Sequence, residues 1–116
     1  MDLVNELGTV EISEEVLSTI AGVAAGEVDG VVGLAASLGE NIKDLLKKKY
    51  AGKGISIETS EAGLVVNVNI IVKFKYNVQE VAVKVQDTVL NAIQDMTNQQ
   101  VGAVNVNVAN VQIVEE

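Results

Sequence analysis

The sequence predicts an α+β fold in two layers, with helices on one face of a mostly antiparallel or mixed sheet. Some segments alternate apolar and polar residues, which is typical of strands with one buried face. Others repeat apolar residues at helical spacing, which is typical of amphipathic helices. Their order along the chain is β-α-(β)-α-β-β-α-β. Because 116 residues suffice for one hydrophobic core and are too few for two, we expect a single domain over residues 1–116.

The first predicted elements are a short strand and a helix. In "TVEIS" the apolar Val10 and Ile12 alternate with polar neighbours and are expected to point inward. Ser13 follows as a capping residue, and two glutamates after it suit the positive end of the helix dipole. The helix is predicted to run to Val28 and to stop at Gly30, because glycine readily adopts the left-handed conformation.

Glycine recurs at every fourth position of this segment, at Gly22, Gly26 and Gly30. Glycine inside a helix costs about 1 kcal/mol relative to alanine, so the spacing needs a reason. One interpretation is close packing of the helix on a sheet or a second helix. The other is a smooth groove used for self-association. The next segment, "VVGLAASLG", is ambiguous: Val31 and Val32 are compatible with a short strand, the bracketed one of the predicted order, and the rest with a loop or a helical turn.

A short basic amphipathic helix is predicted over residues 40–50, "ENIKDLLKKKY". Its apolar residues are Ile42, Leu45, Leu46 and Tyr50. They either complete the core while Lys47, Lys48 and Lys49 face solvent, or lie on an anionic membrane. Each lysine near a membrane surface would contribute about 1 kcal/mol.

The next segment is predicted to form a hairpin. Its first strand carries Ile55 and Ile57 inward, and its turn is "SEAG", in which Gly63 supplies a positive φ. The second strand is predicted to be long, with one apolar face that continues from Leu64 through Phe74 to Tyr76. The opposite face carries Asn67, Asn69, Lys73 and Lys75.

The clearest predicted helix covers residues 77–97. Asn77 and Glu80 have the spacing of a capping box. The apolar stripe expected to face the core is Val78, Val81, Ala82, Val85, Val89, Ala92, Ile93 and Met96.

In the last predicted strand, Val104, Val106 and Val108 point one way, and the apolar phase then shifts to Val111 and Ile113. Such a shift predicts a β-bulge near residues 109–110.

Asparagine occupies every second position in two predicted strands, although it is a poor strand residue. These two asparagine rows are Asn67 with Asn69, and Asn105 with Asn107. If the two strands are neighbours, all four side chains lie on the sheet face away from the helices. That face is either solvated or a neutral, hydrogen-bonding surface that docks a partner without charge repulsion.

The composition excludes several kinds of site. Cysteine and histidine are absent, which removes disulfides, zinc sites and histidine-based catalysis. Lys53 in "AGKG" lacks the spacing of a phosphate-binding loop. Ser37 in "AASLG" lacks the first glycine of a nucleophile elbow. We therefore predict a protein that is not an enzyme and takes no cofactor or metal.

The charge distribution bears on partners and location. The net charge is −8, arginine is absent, and residues 43–53 hold five of the eight lysines. This acidic field opposes binding to phosphate backbones, so no nucleic-acid partner is expected. The acidic N-terminal residues lack the pattern of a signal peptide, and no apolar run approaches the ~20 residues that span a bilayer. We expect a cytoplasmic location.

Three stretches together resemble the alkaline shock protein family, envelope-stress proteins found mainly in Gram-positive bacteria. They are "GTVEISEEVLSTIAGVAAGEVDGVVGL", "KGISIE", and the region from "VQEVAVKVQDTVLNAIQDMT" to "VNVNVANVQIV". The family pattern Ile-Ala-x-x-Ala-Ala-x-Glu-Val-x-Gly-Val is matched at residues 20–31, and its closing Val-Asn-Val-x-Val-x-x-Val at residues 104–111. Asn98 departs from the family, since relatives usually have glycine there.

The resemblance implies a small protein of cell-envelope homeostasis without catalytic residues. It also implies self-association and, as in some relatives, attachment to the membrane through a small membrane-anchored partner. We therefore expect a non-enzymatic scaffold or adaptor whose interaction surface is the asparagine rows. One alternative is a peripheral membrane-binding module that uses the basic helix with Lys47, Lys48 and Lys49. Another is a regulatory subunit of a metabolic enzyme.

Overall fold

The computed structural model describes residues 2–35 and 54–114. Within these ranges the chain forms strands β1 (Asp2–Asn5) and β2 (Gly8–Glu11), helix α1 (Glu14–Gly26), strands β3 (Val31–Leu34), β4 (Ile55–Ser60) and β5 (Gly63–Lys73), helix α2 (Val78–Thr97) and strand β6 (Val101–Gln112). The predicted basic helix over residues 40–50 lies outside the described residues.

Strand β5 is the centre of the main sheet. Strand β6 pairs with it in parallel along residues 64–73. Strands β4 and β3 pair with it antiparallel, β4 along residues 63–68 and β3 along residues 70–72, so they share the opposite edge. The parallel pairing of β5 and β6 needs a crossover connection, and α2 supplies it. The predicted two-layer α+β fold with a mixed sheet is confirmed.

The core lies between this sheet and the two helices. Every second side chain of β5 is buried, namely Leu64, Val66, Val68, Ile70 and Val72. Helix α2 covers them with a buried residue at each fourth position, namely Val81, Val85, Val89 and Ile93. Helix α1 adds Leu17 and the small residues Ala21, Ala24 and Ala25. Burying a Val, Leu or Ile side chain contributes about 1.5–3 kcal/mol, so this cluster is the main source of stability.

Side-chain caps fix where the helices begin. The Ser13 hydroxyl accepts a hydrogen bond from the N–H of Val16 at 3.2 Å, and the Asn77 side chain accepts one from the N–H of Glu80 at 3.0 Å. Both predicted caps are confirmed. Helix α2 ends at Thr97 and is followed by the capping residue Asn98, whose φ of 57° is left-handed.

The N-terminal region differs from the prediction of one strand. Strands β1 and β2 form a separate antiparallel hairpin in register from Asp2↔Glu11 to Asn5↔Gly8. Val10 is exposed rather than inward, whereas Ile12 packs against the core as expected. The turn between the strands lacks the Asn-Gly or Asp-Gly pair that marks a hairpin in a sequence, which is why β1 was not predicted.

The predicted extension of β5 to Tyr76 is wrong. The strand ends at Lys73, and Phe74 and Lys75 form a turn in which Lys75 has a φ of +84°. Tyr76 donates its backbone N–H to the carbonyl of Lys73, which closes the turn. The alternation of apolar residues continues through this turn by coincidence, and Phe74 and Tyr76 remain about half exposed.

The ring of Tyr76 lies against the backbone of Gly30. Gly30 has a φ of +96°, and a Cβ atom at this position would lie 2.6 Å from Cδ2 of Tyr76. The tyrosine ring therefore packs directly on a backbone that only glycine leaves free. The left-handed conformation predicted for Gly30 is confirmed, but the predicted run of α1 to Val28 is wrong, because the helix ends at Gly26.

The predicted stripe of α2 is confirmed in its centre and wrong at its ends. Val78 is exposed at the first turn and Met96 at the last, while Thr97 is buried instead. The Thr97 hydroxyl satisfies its own hydrogen-bonding need by donating to the carbonyl of Ile93 at 2.6 Å.

The predicted β-bulge in β6 is confirmed. The register passes from Ile70↔Val108 to Ile71↔Asn110, so one extra residue lies at position 109. A second irregularity, beside Gly102, was not predicted.

Candidate interaction surface

The candidate site is the face of the sheet that points away from α1 and α2, here called the open face. It is built by the side chains that alternate with the buried ones. They are Ser56 and Glu58 on β4, Val65, Asn67, Asn69 and Ile71 on β5, and Ala103, Asn105 and Asn107 on β6. No element within residues 2–35 and 54–114 forms a second layer over this face.

The two asparagine rows are direct neighbours on the open face. Parallel pairing places Asn67 opposite Asn105 and Asn69 opposite Asn107. Asn105 Nδ2 donates to Asn67 Oδ1 at 3.0 Å, and Asn107 Nδ2 donates to Asn69 Oδ1 at 3.1 Å. The rows are therefore two rungs of an amide ladder of the kind that stacks identical residues in parallel sheets.

The ladder continues across β5 to β4. Asn67 Nδ2 donates to Ser56 Oγ at 3.2 Å and contacts Glu58 Oε2 at 3.4 Å. Asn69 Nδ2 donates to the carbonyl of Gly54 at 3.3 Å. All of these bonds run in one direction, from β6 through β5 to β4. The acceptor ends of Asn105 and Asn107 are thus left at the β6 side.

This ladder is a role that was not predicted for the asparagines, which were expected to face solvent or a partner. In the structure each of the four side-chain amides makes at least one hydrogen bond within the sheet. The signal was present in the repeated "VNVN" of residues 66–69 and 104–107. Two identical segments that flank a helix are the expected ends of a β-α-β unit, whose strands are parallel and align like residues.

The open face is almost free of charge. Among its residues Glu58 is the one acid, and Lys73 lies at its far end on β5. Val65 and Ile71 are half-buried beside the asparagines. The face can therefore offer apolar contact together with amide donors and acceptors, which suits a protein surface better than a small charged ligand.

The residues that the structure describes contain no group of three or more acidic side chains placed to hold a metal ion. The predicted interaction residues Lys47, Lys48 and Lys49, and the weighed Ser37 and Lys53, lie outside the described residues. Neither helix of the described chain is long and apolar enough to cross a bilayer.

Comparison with known proteins identifies relatives over nearly the whole chain. The model of the alkaline shock protein 23 family, described by its cell envelope-related function, matches residues 2–113. The uncharacterized protein YqhY of Bacillus subtilis (strain 168) is 31% identical over 106 residues, covering 91% of this chain and 78% of YqhY. A "stress response regulator gls24 homolog" of Streptococcus pyogenes serotype M3 (strain MGAS315) is 24% identical, covering 94% of this chain and 62% of the relative.

A solved structure shares the fold. The structure titled MamM-CTD 215-293 superimposes with a TM-score of 0.51 and 14% identity, covering 88% of this chain and 100% of that one. At this identity the likeness concerns the arrangement of helices and strands alone.

Proposed function

This chain belongs to the alkaline shock protein 23 family, whose described function is cell envelope-related, and from that premise we propose that it acts as a non-enzymatic scaffold or adaptor. In this role it would associate with copies of itself and bind protein partners near the membrane. The relative named as a stress response regulator supports placing this role in the envelope stress response.

The observation that carries the proposal is the open face. Sheets with strands paired antiparallel commonly pack one face on the core and present a polar face to solvent. Here the centre of the face presents Val65, Ile71 and four asparagines in a chain whose net charge is −8. Depletion of charge at the centre of a surface patch is typical of protein–protein interfaces.

The experiment is a crosslinked pull-down from the native host, with membrane and cytosolic fractions separated before partners are identified. Three baits are compared: the native chain, Ser56→Lys/Val65→Lys on the open face, and Asn91→Lys on the exposed surface of α2. The native chain and the α2 variant should recover the same small membrane protein. The open-face variant should lose at least about tenfold of it, which corresponds to about 1.4 kcal/mol.

The outcomes separate this function from its rivals. Recovery of a soluble enzyme in stoichiometric amount, with nothing from the membrane fraction, would favour the regulatory-subunit function instead. Equal recovery with all three baits would mean that the open face is only solvated.

A further inference from the structure

The outer edge of β6 is the side of the strand that faces away from β5. The even-numbered residues along β5 direct their backbone N–H and carbonyl groups toward β6. The N–H of Leu64 donates to the carbonyl of Gln100, and the N–H of Phe74, just after the strand, donates to the carbonyl of Gln112. With the observed register, the backbone groups of Val104, Val106 and Val108 then point outward.

Gln86 of α2 supports this assignment, because its Nε2 reaches the carbonyl of Val104 at 3.0 Å. No strand within the described residues pairs with the outer edge.

This edge lacks the charged residues and prolines that usually keep sheet edges apart. Natural edge strands carry lysines, other charges or prolines that block pairing with another chain. The 12 residues of β6 contain neither a charged residue nor a proline. Its two irregularities lie toward the ends, beside Gly102 and at position 109, and leave a regular stretch between them.

The regular stretch contains a palindrome. Residues 104–108 read Val-Asn-Val-Asn-Val, the same in both directions, with Val106 at the centre. When two copies of such a strand pair antiparallel about Val106, each residue meets its own kind. Valines lie against valines on the helix side, and Asn105 lies against Asn107 of the other copy on the open face. Two copies related by a two-fold axis through Val106 would thus place residues of the same type opposite each other along this stretch.

The backbone geometry agrees with the same centre. Because Val106 points its N–H and carbonyl outward, a pair centred on it is a hydrogen-bonded pair, and so are the two flanking pairs of Val104 with Val108.

Helix α2 presents a compatible surface above the edge. The side of α2 around Gln86 carries Gln79, Val83, Leu90 and Gln94, which are all uncharged and spaced at three or four residues. Of the charged residues of α2, Glu80 and Lys84 line one pocket with Gln79 and Val83 and carry opposite charges. Asp87 follows Val83 by four residues. Val83 is about half exposed. Two such helices would therefore meet through an uncharged row that charged residues flank.

We propose that two copies of this chain join through the outer edges of β6, antiparallel and centred on Val106, to form one continuous sheet. This proposal rests on the self-association in the proposed function and names its geometry. Gln86 occupies the carbonyl of Val104 in the single chain. It has to release this carbonyl when the second strand pairs with the edge.

The register is tested with engineered cysteines, since the native chain has none. Asn105→Cys protein is mixed with Asn107→Cys protein under mild oxidation. These positions face each other as a non-hydrogen-bonded pair, whose Cα atoms lie about 4.5 Å apart and within disulfide range. The mixture should give crosslinked dimers, and each protein alone should give far fewer, because like positions lie diagonally about 7–8 Å apart. Ser56→Cys on β4 is the control and should not crosslink with itself.

The assembly itself is measured by light scattering during gel filtration. The native chain should have twice its 12.2 kDa mass, and Val106→Pro should return it to that of the single chain. Proline at this position removes an outward N–H that makes no bond within the sheet, and it replaces a half-buried valine at the edge of the core. The circular dichroism of the folded chain should therefore be retained.

Val83→Lys should weaken the dimer at least about tenfold, an effect of about 1.4 kcal/mol. Asn91→Lys changes the net charge equally but lies on another side of α2, so it should not weaken the dimer.

Two results would overturn the inference. If the chain associates but Val106→Pro and Val83→Lys leave its mass unchanged and no 105–107 crosslinks form, the geometry is wrong while self-association stands. If the native chain is a monomer throughout, self-association in the proposed function fails as well.

Discussion

Asn67 links three strands through one side-chain amide. Its Oδ1 accepts from Asn105 on β6, and its Nδ2 reaches Ser56 and Glu58 on β4. An amide can do this because it is donor and acceptor at once, whereas serine is shorter and aspartate accepts only. The asparagine thus offsets its poor strand propensity by bonds that a valine at the same place could not make.

A double-mutant cycle measures this link. Asn67→Ala, Asn105→Ala and the double variant should show a coupling of about 0.5–1 kcal/mol in urea unfolding at one fixed protein concentration, because the single changes break the same bond. The control cycle of Asn67→Ala with Asn91→Ala should be additive within about 0.3–0.5 kcal/mol. Additivity in both cycles would mean that the ladder bond contributes nothing to stability.

Two glycines with opposite environments provide a matched pair of substitutions. Gly30→Ala should destabilise the fold by at least about 1–2 kcal/mol, because the residue has a φ of +96° and the new methyl would meet the ring of Tyr76. Gly26→Ala should stabilise it by about 0.4–1 kcal/mol, because nothing lies within 4 Å of a Cβ there and α1 loses a flexible residue. Thermal unfolding of the two variants reports both effects, and a gain at Gly30 would contradict the packing of Tyr76.

At the scale of elements, local rules predicted most of what the structure contains. The caps at Ser13 and Asn77, the buried centre of α2 and the bulge in β6 each depend on residues a few positions apart, so periodicity and capping chemistry suffice. The end of β5 depended instead on Tyr76 packing on Gly30, which are distant in sequence. Patterns of neighbouring residues in one sequence do not reveal a contact between such distant residues.

The candidate site was predicted only in part for the same reason. The four asparagines were expected on one face, and the structure places them there. Their mutual bonding required knowing that β5 and β6 are parallel and that Asn67 meets Asn105 in register. Which face of the sheet binds a partner stays a prediction.

The end of α2 gives a prediction about an element boundary. Asn98 is left-handed with a φ of 57°, and its N–H donates to the carbonyl of Gln94 at 3.0 Å. Asn98→Gly should leave stability equal or slightly higher, because glycine adopts this conformation without a steric penalty. Asn98→Val should lower stability by about 1–2 kcal/mol. Chemical denaturation compares the two, and equal losses would show that the conformation of this residue does not matter.

At the scale of the whole molecule, net charge distinguishes the proposed association from membrane binding. Two chains of −8 repel each other, whereas the β6 edges that meet in the proposed dimer carry no charge. Raising the salt from about 0.01 M to about 0.1 M shortens the screening length from about 30 Å to about 10 Å, which removes repulsion but no attraction at such an interface. The dimer should therefore tighten several-fold with salt.

Binding to an anionic membrane through Lys47, Lys48 and Lys49 should instead weaken as salt rises, because salt screens the attraction between the lysines and the membrane. Sedimentation equilibrium and vesicle co-sedimentation along one salt series compare the two. A neutral vesicle is the control for contact that does not depend on charge. A dimer that dissociates as salt rises would indicate an interface between opposite charges, which β6 does not carry. That result would move the self-association surface away from the sheet edge.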